Sequence, residues 1–338
     1  MKKKNLVLLV YILIISTQLW SQKVQFSQFY AAPLVLSPSY AGMIDGSRII
    51  LNYRDQWPSI PGTFTTYAFS YDQYFSRMKS GLGLSVVRDE AGTGNLNLTD
   101  IGLLYSYDIT VTRKIHVRPG IKFKYGQRGI EIAKLIFGDQ LEIDGNHSSS
   151  SNEYLTTLNK KGYIDVDASA LMYHSRYWAG FTVSNLMRPN QSLVNVDSRL
   201  PMKWTVFGGY RLPIKGNSRR SHEITESVIF SALYQYQDGH DQLDLGAYWK
   251  KSPFTLGLWF RGLPLVGIQQ GYEAIDAVIV LIGFQVHDLK FGYSYDYTLS
   301  GLIGTTGGSH EVSLIYEFNK NAKLKRKRRQ VTIPCPDF

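Results

Sequence analysis

The sequence predicts an all-β fold: a transmembrane antiparallel β-barrel of about 14 strands with a periplasmic C-terminal tail. Three observations predict it. Runs in which apolar and polar residues alternate recur along the 338 residues, and a period of two is that of a strand rather than of a helix. The connections between these runs tend to alternate between short and long. The last run, from Glu311 to Phe318, stops on an aromatic residue, as closing strands of outer-membrane barrels do. Composition agrees, with 23 Tyr, 16 Phe, 6 Trp and 30 Gly in a chain of modest mean hydropathy.

Residues 1–21 read as a signal peptide. Lys2 to Lys4 form a charged head, Leu6 to Ile15 an apolar stretch, and Ser21 a small residue before Gln22, which is the order such a peptide requires. Beyond it no run reaches the ~18 apolar residues that a membrane helix needs. Residues 22–47 form an N-terminal periplasmic or lumenal segment, 48–318 the outer-membrane barrel, and 319–338 a basic periplasmic tail. The single Cys, Cys335, excludes a disulfide framework. The formal net charge is +10, but three N-terminal Lys and a net +6 in residues 319–338 leave only +1 elsewhere. A nucleic-acid surface would need basic residues spread over the folded part, so that class is excluded.

Fourteen alternating segments are expected at 48–54, 64–74, 81–88, 96–108, 115–127, 163–173, 176–186, 202–212, 224–237, 241–249, 253–261, 273–285, 288–298 and 308–318. In the fifth, Val117, Ile121, Phe123 and Tyr125 oppose His116, Arg118, Lys122 and Lys124. Pro119 removes one ladder donor there and predicts a local bulge. In the thirteenth, Leu289, Phe291, Tyr293, Tyr295 and Tyr297 oppose Lys290, Gly292, Ser294, Asp296 and Thr298. In a barrel the apolar face meets lipid and the polar face the lumen, while closure satisfies the backbone. An even strand count puts both barrel ends in the periplasm. The second, fourth and sixth connections, "FSRMKS", "ITVTRK" and "HS", are then short periplasmic turns. Two connections break the rule, "PIKGNSRRSHE" being long and "DGH" short.

The lumen face mixes signs. Arg54, Arg118, Lys122, Lys124, Lys250 and Lys290 lie against Asp72, Asp100, Asp108, Asp165, Asp167, Asp244, Asp296, Glu311 and Glu317. A ring of one sign would suit an ion-selective pore; interleaved signs predict an interior held by ion pairs and narrowed or plugged by loops. Arg54, inward by parity with Asn52, needs a carboxylate partner and should tie the N-terminal segment or the first loop to the wall, and Trp57 should pack that loop. No catalytic function is expected. Ser309, His310 and Glu311 are neighbours on a strand, so they point to opposite faces and cannot pair as nucleophile and base. The histidines lie singly, without metal-ligand spacing, and no cofactor is expected.

Both chain ends carry the marks of a known family. "QFSQFYAAPLVLSPSYAG" (Gln25 to Gly42), "YRDQWPSI" (Tyr53 to Ile60), "GSHE" (Gly308 to Glu311) and the terminal "CPDF" resemble, together, the PorP/SprF family of Bacteroidetes outer-membrane proteins, with Ser37 and Ser39 where Asn and Ala are usual. The resemblance implies a component associated with the type IX secretion system, needed for export or surface attachment of large adhesins through a C-terminal sorting domain. In some members it implies gliding motility, and in others a link to periplasmic secretion or gliding components.

A barrel of about fourteen strands is too narrow for a folded adhesin, so it would receive or anchor cargo rather than conduct it. The apolar loop residues Trp57, Pro58, Ile60, Leu263, Pro264 and Leu265 are the candidate partner surface. Arg54, Asp72, Arg118 and Glu311 are candidate structural residues of the lumen. In the tail, "KNAKLKRKRR" is too charged to pack, and contact with outer-membrane lipid is one reading of it. Ile333, Pro334, Cys335, Pro336 and Phe338 are the candidate contacts to a periplasmic partner. The rival reading is an outer-membrane channel for passive or hydrophobic-solute uptake, with the N-terminal segment as a lumen plug.

Overall fold

The computed structural model describes residues 25–62, 64–92, 94–131, 135, 160–193, 197–216, 224–263, 276–299 and 306–319, and of 215, 216, 224, 225 and 263 the backbone alone. Fourteen long strands run β1 (Ser47–Gln56), β2 (Phe64–Phe75), β3 (Ser80–Ala91), β4 (Leu96–Tyr107), β6 (His116–Gly129), β7 (Lys160–Tyr173), β8 (Tyr177–Ser184), β9 (Lys203–Gly216), β10 (Ile224–Gln237), β11 (His240–Lys251), β12 (Phe254–Leu263), β13 (Ala277–Val286), β14 (Leu289–Thr298) and β15 (Ser309–Phe318). A two-residue strand, β5 (Ile109–Thr110), extends the sheet beyond the end of β4. Each strand pairs antiparallel with its neighbours, and β1 pairs with β15 over ten consecutive residues from Ser47–Phe318 to Gln56–Ser309. The sheet is therefore a closed fourteen-strand barrel with no free edge, the condition for crossing lipid. No described helix is long and apolar enough to cross a membrane.

Parity assigns the faces as the alternation predicts. Phe123 is 55% exposed while its neighbour Lys124 is 3% exposed, and the same contrast separates Phe291 from Lys290. Pro119 does not produce the expected bulge. Pairing of β4 with β6 runs to Ser106–Gly120 and resumes in the same register at Ile109–Val117. The missing N–H thus interrupts the ladder by two residues without inserting one. Register shifts occur instead between β9 and β10 and between β11 and β12.

One rim carries the tight turns and both barrel termini; the other carries the longer connections. The exception "DGH" is a two-residue hairpin on the loop rim. Asp238 and Gly239 both take positive φ, 51° and 83°, as a primed turn matched to strand twist requires. The exception "PIKGNSRRSHE" shortens, because β9 continues to Gly216.

Residues 25–46 lie inside the barrel. Gln25 donates to Asp244, near the loop-rim end of β11, and Gly42 donates to Asp72, near the turn-rim end of β2. The segment therefore descends from the loop rim to the turn rim before β1 begins. It is compact: a single helical turn at Pro33–Leu36 and a 3-10 turn at Pro38–Tyr40 each start on a proline, whose fixed φ and absent N–H suit a first helical position.

Candidate functional site

The interior of the barrel is the candidate site; two groups of wall residues hold the inserted segment, and a third holds the chain leaving β8. Nearest the loop rim, Arg54 on β1 donates to Asp296 of β14 at 3.0 Å, to Glu311 of β15 at 3.2 Å and to the Ser27 hydroxyl. Arg261, at the end of β12, reaches the same Asp296 oxygen at 2.9 Å and the same hydroxyl at 2.8 Å. Ser27 Oγ in turn donates to Asp296. Glu311 accepts the backbone N–H groups of Ser27 at 2.7 Å and Gln28 at 3.1 Å. Gln28 is fully buried, donating to Ser294 and the Glu311 carbonyl and accepting from Ser313. Two guanidinium groups thus face two carboxylates across the lumen, with Asp244 a third at 3.7 Å from Arg261, and several of their hydrogen bonds go to the inserted segment. This is the arrangement under which buried charges are tolerated.

The second group sits at the turn rim. Arg118 on β6 donates to the carbonyls of Ala41 at 2.7 Å and Gly42 at 3.1 Å, and Ser106 donates to Ala41 at 2.7 Å. Asp72 pairs with Arg48 at 2.9 Å while accepting from the Gly42 N–H at 2.8 Å. Close approach is possible because the wall is glycine here. A Cβ on Gly81 would stand 2.0 Å from the Ala41 carbonyl oxygen, and one on Gly120 would stand 2.5 Å from the Ser39 nitrogen. The third group does not touch the segment directly. Lys124 pairs with Asp165 and Asp167, each at 2.8 Å, and these aspartates also accept from the backbone of Met187 and Asn185. That fixes the chain leaving β8.

Between the polar groups the lumen is apolar. Phe29, Tyr30, Leu34 and Tyr40 of the segment pack against Leu171, Phe207, Ile229, Leu233, Tyr248, Trp259, Ile279 and Leu281 of the wall. Phe29 meets Trp259 edge-on at 4.9 Å, Tyr30 meets Tyr248 at 4.8 Å, and Tyr40 stacks on Phe207 at 5.5 Å. Such aromatic pairs add about 0.5–1.5 kcal/mol each beyond area burial. The cavities of about 50 Å³ and 30 Å³ flanking Val35 have room for a few waters and not for a transported solute.

Of the residues singled out in the sequence, Arg54, Asp72, Arg118 and Glu311 all contact the inserted segment. This segment fills much of the space the described residues enclose, and the connection after β8 adds the buried Asn185, which accepts from Lys124 at 3.1 Å, and Gln191. Arg48, Arg261, Ser27 and Gln28 belong to the same networks and escaped notice. Arg48 shares the parity of Asn52 and Arg54, and Arg261 alternates with Phe260, so period two could have found both. Trp57 takes a φ of 61°, donates its N–H to Gly308 at 2.8 Å and packs edge-on against Phe64. Pro58 is exposed and Ile60 half-exposed. Leu263 ends β12, whereas Pro264, Leu265, Ile333, Pro334, Cys335, Pro336 and Phe338 lie outside the described residues. His310 points away from Glu311, to the outer face, where it meets Tyr293 OH at 2.8 Å.

Ser27 is the point at which both arginines and Asp296 converge. Ser27→Ala removes one acceptor and one donor from that buried set and is expected to cost about 1–3 kcal/mol, read as a lower temperature for loss of the folded band on unboiled gels.

Comparison with curated proteins returned no match. Among solved structures, the toluene transporter TodX of Pseudomonas putida is similar at 8% identity and TM-score 0.47, covering 88% of this chain and 98% of its own. The CymD monoaromatic hydrocarbon channel is similar at 10% identity and TM-score 0.46, covering 85% and 93%. A Pseudomonas aeruginosa FadL homologue is similar at 12% identity and TM-score 0.42, covering 80% and 90%. The family described as type IX secretion system membrane protein PorP/SprF matches residues 19–316. With the closed barrel and most of the chain inside that match, this protein belongs to the PorP/SprF family of type IX secretion system membrane proteins.

Proposed function

We propose that this protein sits in a Bacteroidetes outer membrane and receives or anchors a large surface adhesin by its C-terminal sorting domain, serving gliding where that adhesin does. The observation that carries the reading is the lumen closed by residues 25–46, joined to the wall by hydrogen bonds to buried charged side chains and by an apolar core. A barrel filled in this way offers surfaces rather than a path. Family membership supplies the secretion system. The loop rim then faces the outside, with Trp57, Pro58, Ile60, Leu263, Pro264 and Leu265 as the adhesin contact. The turn rim faces the periplasm, and the tail, through Ile333, Pro334, Cys335, Pro336 and Phe338, couples the barrel to a periplasmic secretion or gliding component. The protein acts by binding, without catalysis and without a cofactor.

The test is a pull-down from the native membrane by a C-terminal tag, which should recover an adhesin bearing the sorting domain. Truncation after Asn321 keeps β15 whole. It is expected to leave barrel assembly intact while abolishing recovery of periplasmic partners and adhesin display in a deletion strain. Full display by the truncated chain would remove the tail from the mechanism.

A further inference from the structure

Exposed cations without an ion pair concentrate at the turn rim. At the loop rim Arg88 pairs with Glu90 at 2.7 Å and Arg199 with Asp197 at 3.2 Å, and among the described residues Lys160 and Arg188 are the exposed cations there that no ion pair holds. At the turn rim Arg77, Lys79, Arg113, Lys114 and Arg176 are all exposed, and among the described residues none has an ion-pair or side-chain hydrogen-bond partner. They occupy three neighbouring turns, those joining β2 to β3, β5 to β6 and β7 to β8, so five positive charges gather on one side of the barrel. Asp108, between β4 and β5, is already engaged by His116 at 3.1 Å and Tyr173 at 3.3 Å.

The same turns carry apolar side chains that continue the outer wall. Tyr105 and Tyr107 lie on the outer face of β4, and because β5 keeps the register, Ile109 follows on that face. Beyond it Val111 is 60% exposed, and Met78 on the adjoining turn is 58% exposed. The turns are ordered. Asp108 N–H donates to the Lys79 carbonyl at 2.8 Å, and the β5–β6 tip is closed by Val111, Thr112 and Ile115 bonding one another. Charges held beside a tyrosine belt and a strip of exposed aliphatic residues lie at the depth of lipid headgroups.

We propose that this patch is a binding site for anionic phospholipid headgroups of the leaflet at the turn rim, with the phosphates taken by Arg77, Lys79, Arg113, Lys114 and Arg176 and the acyl chains lying against Met78, Ile109 and Val111. Because the patch is one-sided, bound lipid also sets which flank of the barrel sits deepest. Lipid explains both the cations and the aliphatic strip; a soluble acidic protein would leave Val111 and Met78 without a partner.

The test uses the full chain in mixed micelles, with retained lipid counted by native mass spectrometry. The protein should retain phosphatidylglycerol over phosphatidylcholine, by roughly fivefold for each cation that reaches a phosphate, and less so as salt rises. Changing all five cations to Gln should abolish the preference, whereas Arg88→Gln with Arg199→Gln, a control at the opposite rim, should keep it. An unchanged preference in the five-fold variant overturns the proposal. So does a wild-type protein that ignores phosphatidylglycerol but is bound by polyglutamate, which would assign the patch to an acidic protein. Competition by inorganic phosphate as effective as by the lipid would likewise overturn it, leaving a site for free phosphate.

Discussion

Arg54→Ala is expected to destabilise the barrel by about 3–5 kcal/mol, the range for removing one partner from a buried ionic set. Arg54 stands between Asp296 and Glu311 and also donates to Ser27. Its loss leaves Glu311, which is fully buried, with only the backbone donors of residues 27 and 28, while Arg261 alone faces Asp296. Arg54→Lys should recover little, because an ammonium is a point charge and cannot fork to two carboxylates and a hydroxyl at once. The double change Arg54→Ala, Glu311→Gln should recover part of the loss by removing the orphaned charge. Conversion of folded to unfolded bands with temperature, measured alongside urea midpoints, reads all three. A single variant as heat-resistant as the parent, with unchanged surface export, would take Arg54 out of the structure's support.

The barrel wall was legible because lipid imposes one strict pattern on it. Each strand must show an apolar face, closure forbids an odd strand out, and short turns separate hairpins at one rim. The alternation of "IKFKYG" and "LKFGYSYDYT" therefore placed Phe123, Lys124, Lys290 and Phe291 on their correct faces. Arg54 was legible for a related reason: a guanidinium on a lumen face needs a carboxylate. What filled the lumen was harder to read. Gln25 to Gly42 has neither strand nor helix period, since its two short turns are set by prolines and its position by side chains up to 285 residues away, as between Ser313 and Gln28. One local clue was present. In β13, "AVIVLIGF", both faces are apolar, with Ile279 and Leu281 inward and Val280 and Ile282 outward. A wall apolar on both sides is covered on both sides, so this strand alone implied an apolar occupant in the lumen. The expected bulge at Pro119 failed because a break in the ladder costs less there than a shift that would turn Arg118 out of the lumen.

The occupied lumen makes conductance the decisive measurement. Reconstituted in planar bilayers, the intact protein is expected to pass no resolvable current, because residues 25–46 run through the lumen from the loop rim to the turn rim and are held to the wall at both ends. Deleting residues 26–42 should open steady ion-conducting steps, since a fourteen-strand wall encloses a passage wide enough for small solutes. The deletion also strips cover from Trp259, Tyr248 and Arg54, so a silent result could reflect collapse. A covalent lock separates the two. The hydroxyls of Ser39 and Ser169 lie 2.6 Å apart, close enough for cysteines at both positions to bridge, with Cys335→Ser removing the only competing thiol. If the barrel is a channel whose segment withdraws, the oxidised protein should lose solute uptake and regain it on reduction. If the barrel acts by binding, adhesin display in a deletion strain should be the same with the segment locked or free. Loss of display on oxidation would show that the segment must move and would overturn the reading of a permanently closed lumen.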